Sequence, residues 1–533
     1  MGFSDGSGLV SASVAKFATT LHKTPSIELP TARILLYVLI GSAICFVLWA
    51  KPSAPRKFPG PPAWPVVGNL PSIYRQHAER QFAEWAAVYG DVIQVQFGSL
   101  SVVVVNSAAA AKSIFTGSAA ALSSRPVFHT FHQLIAGTLG PTIGTAGYGE
   151  ALKRGRKATA SELSKPAVKA NLDKIDLETR HLIDELNCYG TEGHSPVQVS
   201  KVIKRLTLSL SLGICYGRRM YLGDPLTQEI IHVEDEILRL RSMTDNLQDY
   251  ISILRCWPFN TYQKAATGLR ERRDAYVGRL NREIEEKMRE GTHEECLYTK
   301  NFDGPHPLPT KELSTVLLTF LSGGLATASN TMHWSLTLLA ARPEIQETAY
   351  RAIREVYPDN KQLFESVYQD TEEVRYMSAL VRECLRYYTP SRLALPRLAV
   401  QDIRYQDGTI SEGDTVVLNT FACNRDAAVY GDPYSFRPER WLENPDLPIF
   451  SYGLGYRMCA GYTLANREMY IVLMRIIACF RISADGDIDA DPITGCLDAA
   501  HQAMAPKPSG LYFEPRDGRG LKRLLQPHQS LGI

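Results

Sequence analysis

A mainly α-helical fold with small β-sheets is predicted by three patterns in the chain. The apolar run from Leu313 to Leu339 reads as one long buried helix. Helical periodicity also dominates Pro343 to Tyr357 and the charged run Leu269 to Arg289. Val92 to Phe97 and Leu100 to Val105, separated by Gly98-Ser99, read as a hairpin in a small sheet. No internal repeat or low-complexity block interrupts these elements.

At the N-terminus, Ile34 to Ala50 is apolar except for Gly41 and Ser42, and Arg33 and Lys51 flank it. Seventeen residues make about 25 Å of helix, at the short end for crossing a bilayer. A secretory signal would carry an apolar stretch of about 7–15 residues behind a short basic start. Here a leader of residues 1–33 precedes the run and prolines follow it, so residues 34–50 read as a retained transmembrane anchor. Residues 51–65, with Pro52, Pro55, Pro59, Pro61 and Pro62, form an extended, stiff hinge. Lys16, Lys23 and Arg33 on one side and Lys51, Arg56 and Lys57 on the other leave orientation undecided by charge.

The most informative stretch is Tyr452-Gly453-Leu454-Gly455-Tyr456-Arg457-Met458-Cys459-Ala460-Gly461. Gly453 and Gly455 permit a tight turn that aims amide donors at the cysteine sulfur. The helix-forming run after Cys459 adds a positive dipole end, and both effects favour a thiolate. Arg457 offers a charged fork for a carboxylate. A haem carries two propionates, and a cysteine thiolate below it favours O–O bond cleavage. Cys188, Cys215, Cys256, Cys296, Cys384, Cys423, Cys479 and Cys496 lack metal-site spacing and read as small buried hydrophobes.

The loop resembles the F-x-x-G-x-R-x-C-x-G signature of the cytochromes P-450, the haem-thiolate monooxygenases, with Tyr452 where phenylalanine is usual. A buried Tyr452 hydroxyl then requires a partner. Further landmarks follow the family order: Glu383-Cys384-Leu385-Arg386 resembles its E-x-x-R helix, and Phe436-Arg437-Pro438-Glu439-Arg440-Trp441 its F-x-P-E-R-[FW] segment. Resemblance makes Glu383, Arg386 and Arg440 a buried charge triad behind the cofactor. Length alone suggests several domains. The family order of the landmarks instead implies one catalytic domain over residues 66–533, in a cytochrome P-450 fold.

What the resemblance implies about the site can be stated residue by residue. Cys459 would ligate the iron of haem b. Arg457, Arg397 and Arg156 would bind its propionates, Arg156 lying in the basic cluster Lys153 to Lys157 where Leu152 replaces the family's tryptophan. Arg392 would face a propionate, an acidic substrate or solvent. Leu317 to Thr327 is similar to the family's [AG]-G-x-[DE]-T helix, with Gly323, Gly324 and Thr327 in place and Ala326 in the slot of the acid. Two glycines inside a helix cost about 0.8–1 kcal/mol each, which suggests a need for room, here for dioxygen and substrate. Thr327 and Gly324 are therefore the catalytic candidates. Proton delivery without the acid would fall to ordered water, a substrate group, Asn330 or His333.

Lys plus Arg is 58 against 56 Asp plus Glu, a net charge of +2 that argues against nucleic acid as partner. By resemblance the basic cluster meets NADPH–cytochrome P-450 reductase, which supplies electrons from NADPH, and the domain faces the cytosol from the endoplasmic reticulum membrane. Ser124 to His132, Ser322 to Leu325 and Arg457 to Glu468 look most like fungal phenylacetate hydroxylases. Phe128, Phe131 and His132 would line a largely apolar pocket, with Ala499 to Ala505 as its roof. Because Ala326 departs from those enzymes, oxidation of an apolar or aromatic small molecule in fungal secondary metabolism is expected. The alternatives are phenylacetate-type hydroxylation in catabolism, an isomerase or dehydratase that needs no NADPH, and a haem sensor without turnover.

Overall fold

The computed structural model describes residues 29–49, 57–256, 260–304, 307–369 and 371–525. Contacts divide the chain into two units, Met1–Ala54 and Pro55–Ile533. In the first, a 21-residue helix α1 (Leu29–Trp49) covers the predicted anchor. It starts five residues before Ile34, because Pro30 falls in the first turn, where its missing N–H costs nothing. Ile34 to Ile40 on it are exposed. Among the described residues no helix is long and apolar enough to cross a membrane, so the helix is met there and the spanning segment is not. Most of the predicted leader and residues 50–56 lie outside the described residues.

The second unit begins on a sheet. Lys57 and Phe58 donate their backbone N–H groups to Gln94 Oε1 at 2.6 and 3.2 Å, so residues 57 and 58, inside the predicted hinge, are held on the catalytic unit. Helix α2 (Ala78–Tyr89) leads to the hairpin of β1 (Val92–Phe97) and β2 (Leu100–Val105), the same residues the pattern predicts, paired antiparallel. Then come α3 (Glu150–Leu163), α4 (Leu172–Tyr189), the short β3 (Val197–Gln198), α5 (Val199–Tyr216), α6 (Pro225–Leu240) and α7 (Thr261–Glu290). The predicted buried helix is α8 (Thr310–Ala341), followed by α9 (Pro343–Val356) and α10 (Arg375–Tyr388). Strands β4 (Arg397–Leu398), β5 (Ile403–Tyr405), β6 (Gly408–Ile410) and β7 (Thr415–Leu418), then α11 (Tyr462–Cys479), β8 (Phe480–Ala484) and β9 (Gly510–Pro515), complete the order.

Three small sheets result, ordered β1-β2-β7-β4, β3-β9-β8 and β5-β6. In the first, β2 runs parallel to β7, with Val102 opposite Thr415, and β4 lies antiparallel beyond it, with Arg397 opposite Val416. Helix α8 is buried along most of its length and packs against α5, α10 and α11. Trp334 of α8 stacks on Tyr388 of α10 at 4.5 Å between ring centroids. Along α8, Thr319, Thr327, Ser329, Thr331, Ser335 and Thr337 return their hydroxyl protons to carbonyls four residues back, which lets a polar-rich helix lie buried.

Candidate active site

A charge triad ties α10 to the segment 430–441, and Asn424, whose carbonyl Arg386 reaches, bonds Phe450 and Ser451 at the start of the cysteine loop. Both carboxylate oxygens of Glu383 accept from Arg386, at 2.9 and 2.7 Å, and one also accepts from Arg440 at 3.2 Å. Trp441 Nε1 and the Arg437 backbone N–H add donors at 2.9 Å each. Neither arginine depends on the carboxylate alone. Arg386 donates to the carbonyls of Asn424, Pro433 and Ser435, and Arg440 to those of Tyr430, Asp432 and Ser435. All three triad side chains are withdrawn from solvent, so every charge is met by a fixed partner.

In the loop, Gly453 and Gly455 have φ of 68° and 65°, the left-handed region that the tight turn demands. A Cβ on Gly455 would also run into the Phe115 carbonyl oxygen. The Cys459 N–H closes the loop on Tyr452 O at 2.9 Å. Tyr452 finds the partner its hydroxyl requires in Asn466 Oδ1 at 2.7 Å. Cys459 is an exposed residue, unlike Cys215, Cys296, Cys384, Cys423, Cys479 and Cys496. Cys188 and Cys256, expected to be buried, are exposed, since each sits near the end of a helix at the surface. Burial pushes the Cys459 thiol up from its ordinary value, and the Gly461 N–H and Arg156 oppose that without reversing it. The loop's donors alone do not make the thiolate; bonding to a metal would.

Around the loop lie arginines with no carboxylate to answer them. Arg457 donates to the carbonyls of Ser123, Ala146, Ile143 and Gly144, and Arg397 to those of Leu122 and Leu454. Arg125 donates to Leu395 and Pro396, and its Nε is buried without a partner. Arg156, on α3, stands 5.2 Å from the centroid of the Tyr456 ring. Burial, with mutual repulsion, pushes Arg397 down to about 9 and Arg457 to about 10, and Arg125 also falls well below its ordinary value. Among the described residues none of these four forms an ion pair. So much buried positive charge is costly unless an anion joins it. A cofactor with two carboxylates beside a free cysteine fits this donor set.

Arg392 does not join them. It is buried and paired with Glu79 at 2.8 Å, with further contacts to His77 and the Pro492 carbonyl, so neither a propionate nor a substrate is its partner. The basic cluster is also partly spoken for: Lys153 pairs with Glu150 and Arg154 with Glu312, each at 2.7 Å.

On α8, Thr327 is half-exposed and its Oγ1 donates to Gly323 O at 3.0 Å. Gly323 is exposed, with nothing within 4 Å of where its Cβ would stand. Gly324 faces the other way. Its Cβ would come within 2.5 Å of Ser211 Oγ on α5, so its smallness serves helix packing. Ala326 is fully buried against Leu238 and Ala503. Neither expected substitute proton donor reaches the Thr327 face. Asn330 Nδ2 is tied to Ala503 O at 2.9 Å, while His333 is buried and held neutral, pushed down to about 4 by burial. Phe128, Phe131 and His132 do come together, around a cavity that Arg125, Arg241 and Pro396 also line. Of the expected roof, Ala503 lies over Ala326.

Residues 58–504 match the family model described as Cytochrome P450. The chain is 45% identical over 486 residues to a 3-hydroxyphenylacetate 6-hydroxylase of Emericella nidulans, covering 91% of this chain and 92% of that protein. It is 34% identical to a phenylacetate 2-hydroxylase of the same organism, over 87% of this chain and 91% of the relative. A cytochrome P450 monooxygenase of Mycosarcoma maydis is also 34% identical, over 92% and 93% of the two chains. With Cys459, the triad and the α8 glycine–threonine segment in one unit, the chain belongs to the cytochrome P450 family.

Proposed function

We propose that this chain is a haem-thiolate monooxygenase that hydroxylates an aromatic small molecule with dioxygen and electrons drawn from NADPH through a partner reductase. The observation that carries the cofactor assignment is the set of buried arginines without carboxylates beside the exposed Cys459. Cys459 would hold the iron, and Arg457, Arg397, Arg156 and Arg125 would answer the propionates. Bound there, haem supplies oxygen activation, with the thiolate favouring O–O cleavage.

The chain's own residues then set the conditions. Thr327 holds a hydroxyl on the open side of α8, where it can exchange its bond to Gly323 O for one to a water that carries protons. The Ala326 slot supplies no acid, and Asn330 and His333 are committed to packing, so solvent at Thr327 is the remaining proton source. Phe131 and Phe128 give the pocket an apolar wall that excludes other water.

The aromatic substrate is supported by the two phenylacetate-class relatives, which favour the aromatic-acid alternative over a role in specialised metabolism. The exposed apolar run Ile34 to Ile40 of α1 supports attachment to the endoplasmic reticulum membrane with the catalytic unit in the cytosol. Lys157, exposed and without an ion pair among the described residues, is the residue of the basic cluster left to meet the reductase.

The test is product analysis of membranes holding the protein, a reductase and NADPH, with phenylacetate or 3-hydroxyphenylacetate under labelled dioxygen. A ring hydroxyl carrying the label is expected. Turnover without NADPH would favour an isomerase or dehydratase. A Cys459→Ala variant that kept a thiolate-type ferrous-carbonyl spectrum would end the ligand assignment.

A further inference from the structure

Arg241 differs from the other buried arginines in what it touches. Arg125, Arg397 and Arg457 are tied to carbonyls of one another's segments, 122–125, 143–146, 395–397 and 454. Arg241 follows the last residue of α6, and its side chain reaches α8, donating from Nη1 to Ser322 Oγ at 3.3 Å. Its guanidinium lies 4.9 Å from the centroid of the Phe131 ring, its Nε is buried without a partner, and among the described residues it forms no ion pair. Glu234, whose charge acts on Arg241, shares Ser322 with it and accepts from Tyr276 at 2.6 Å and from Ser322.

We propose that Arg241 captures the carboxylate of the substrate, which makes the substrate class an aromatic carboxylic acid of the arylacetate kind. The proposal rests on the reading of this chain as an aromatic hydroxylase and adds the group that selects and orients the ring.

Three observations support it. First, no acid lines the cavity it faces, and the other cation there, Arg125, is already tied to the carbonyls of Leu395 and Pro396. Phe128, Phe131, Pro396 and Arg125 enclose the same cavity, and His132 there is neutral: its Nδ1 accepts from the Phe128 N–H at 3.0 Å and burial holds its pKa down. That bond leaves His132 Nε2 as the N–H, which donates to Thr145 O at 3.1 Å. Second, Arg241 is pre-oriented. Ser322 fixes one arm of the fork and Phe131 one face, leaving the Nε edge for two parallel N–H···O bonds to a carboxylate. Third, its position along α8 is apt. Ser322 immediately precedes the open Gly323, and Thr327 is five residues on, about 7.5 Å along the helix axis. Five residues turn the helix by about 140°, so a ring held by Arg241 passes the edge of α8 at Gly323 to approach Thr327. Burial also pushes Arg241 down to about 10, the cost of keeping this charge without an anion.

The experiment compares phenylacetate with phenylacetamide, which keeps the ring and removes the charge, by visible-spectrum titration of the haem-loaded wild type, Arg241→Gln and Arg241→Lys. Wild type should bind the acid about tenfold to a hundredfold more tightly than the amide, the range for a charged hydrogen-bonded pair. Arg241→Gln should lose that preference while its affinity for the amide stays the same, and Arg241→Lys should keep part of it. An Arg241→Gln variant that still prefers the acid overturns the proposal, as does a wild type that binds both alike or neither. Loss of haem from Arg241→Gln also overturns it, since the guanidinium would then be holding the cofactor. Should that variant not fold, a wild-type preference that Arg241→Lys leaves undiminished is decisive against it. Acid binding through Arg241 with no ring-hydroxylated product would leave the anchor standing and end the hydroxylase reading.

Discussion

Ser211 Oγ of α5 stands 2.5 Å from the place a Cβ on Gly324 of α8 would take. The two longest-packed helices of the core therefore touch through a glycine and a serine, and the adjacent Gly323 is left free to face the site. Gly324→Ala gains about 1 kcal/mol of helix propensity and loses about 1–3 kcal/mol to overpacking. A net loss of stability is expected in urea unfolding. Ser211→Ala should restore it, because Ser211 Cβ lies 3.8 Å away once the hydroxyl is gone. Equal effects of Gly324→Ala with and without Ser211→Ala would show that the contact is not what requires glycine.

Glu383 collects five donors from four residues, two of which donate through a guanidinium. Glu383→Gln leaves Arg386 and Arg440 buried with only carbonyls to answer them. Loss of about 3–5 kcal/mol is expected, seen as a lower denaturation midpoint. Because Arg386 of the triad reaches the start of the Cys459 loop through Asn424, haem content should fall in the same variant.

Tyr452→Phe installs the residue usual in the family, yet it should not stabilise this chain. The hydroxyl bond to Asn466 Oδ1 at 2.7 Å is lost, and Asn466 is left without that donor. A cost of about 0.5–1.5 kcal/mol is expected. Tyr452→Phe/Asn466→Leu should recover part of it. A stabilised single variant would show that the hydroxyl contributes nothing here.

Much of the fold was legible because its signals are local. The hairpin strands appear at the predicted residues, and α8 extends the predicted apolar run by three residues at its start and two at its end. Cys459 and the triad were legible from motif spacing. What spacing does not carry is direction. Both glycines of α8 read alike in sequence, and only the position of α5 separates them. Arg392 and Arg397 stand five residues apart on one segment; Glu79, more than three hundred residues away in sequence, claims the first and leaves the second uncompensated. Arg125 sits in a run quoted only for likeness, and Arg241 follows a helix whose alternating Leu238-Arg239-Leu240-Arg241 carries no sign that one arginine turns inward. Anchors of this kind are set by tertiary placement, as is the register of β2 on β7.

Ala326→Asp restores the family's acid in letter but meets a closed site. The side chain at 326 is fully buried against Leu238 and Ala503. An aspartate there has no donor prepared for it, so burial would raise its pKa and the variant should lose at least about 1–3 kcal/mol. The NADPH used per product should not improve. A variant as stable as wild type with tighter coupling would mean that the acid reaches Thr327 after all.

Glu468 of α11, nine residues after Cys459, is buried, and its Oε1 has no hydrogen-bond partner. Burial pushes its carboxyl up to about 8 from an ordinary 4.5. The folded protein therefore binds a proton that the unfolded chain has released between those values. Stability from this group is full below pH 4.5, falls as pH rises toward about 8, and levels off beyond it. The slope is at most about 1.4 kcal/mol per pH unit. Glu468→Gln keeps the shape and removes the titration. It should resemble wild type near pH 4.5 and exceed it increasingly up to pH 8, as urea midpoints at the two ends would show. A difference between the two proteins that stays constant with pH would mean that Glu468 is ionised in the fold and has a partner cation there.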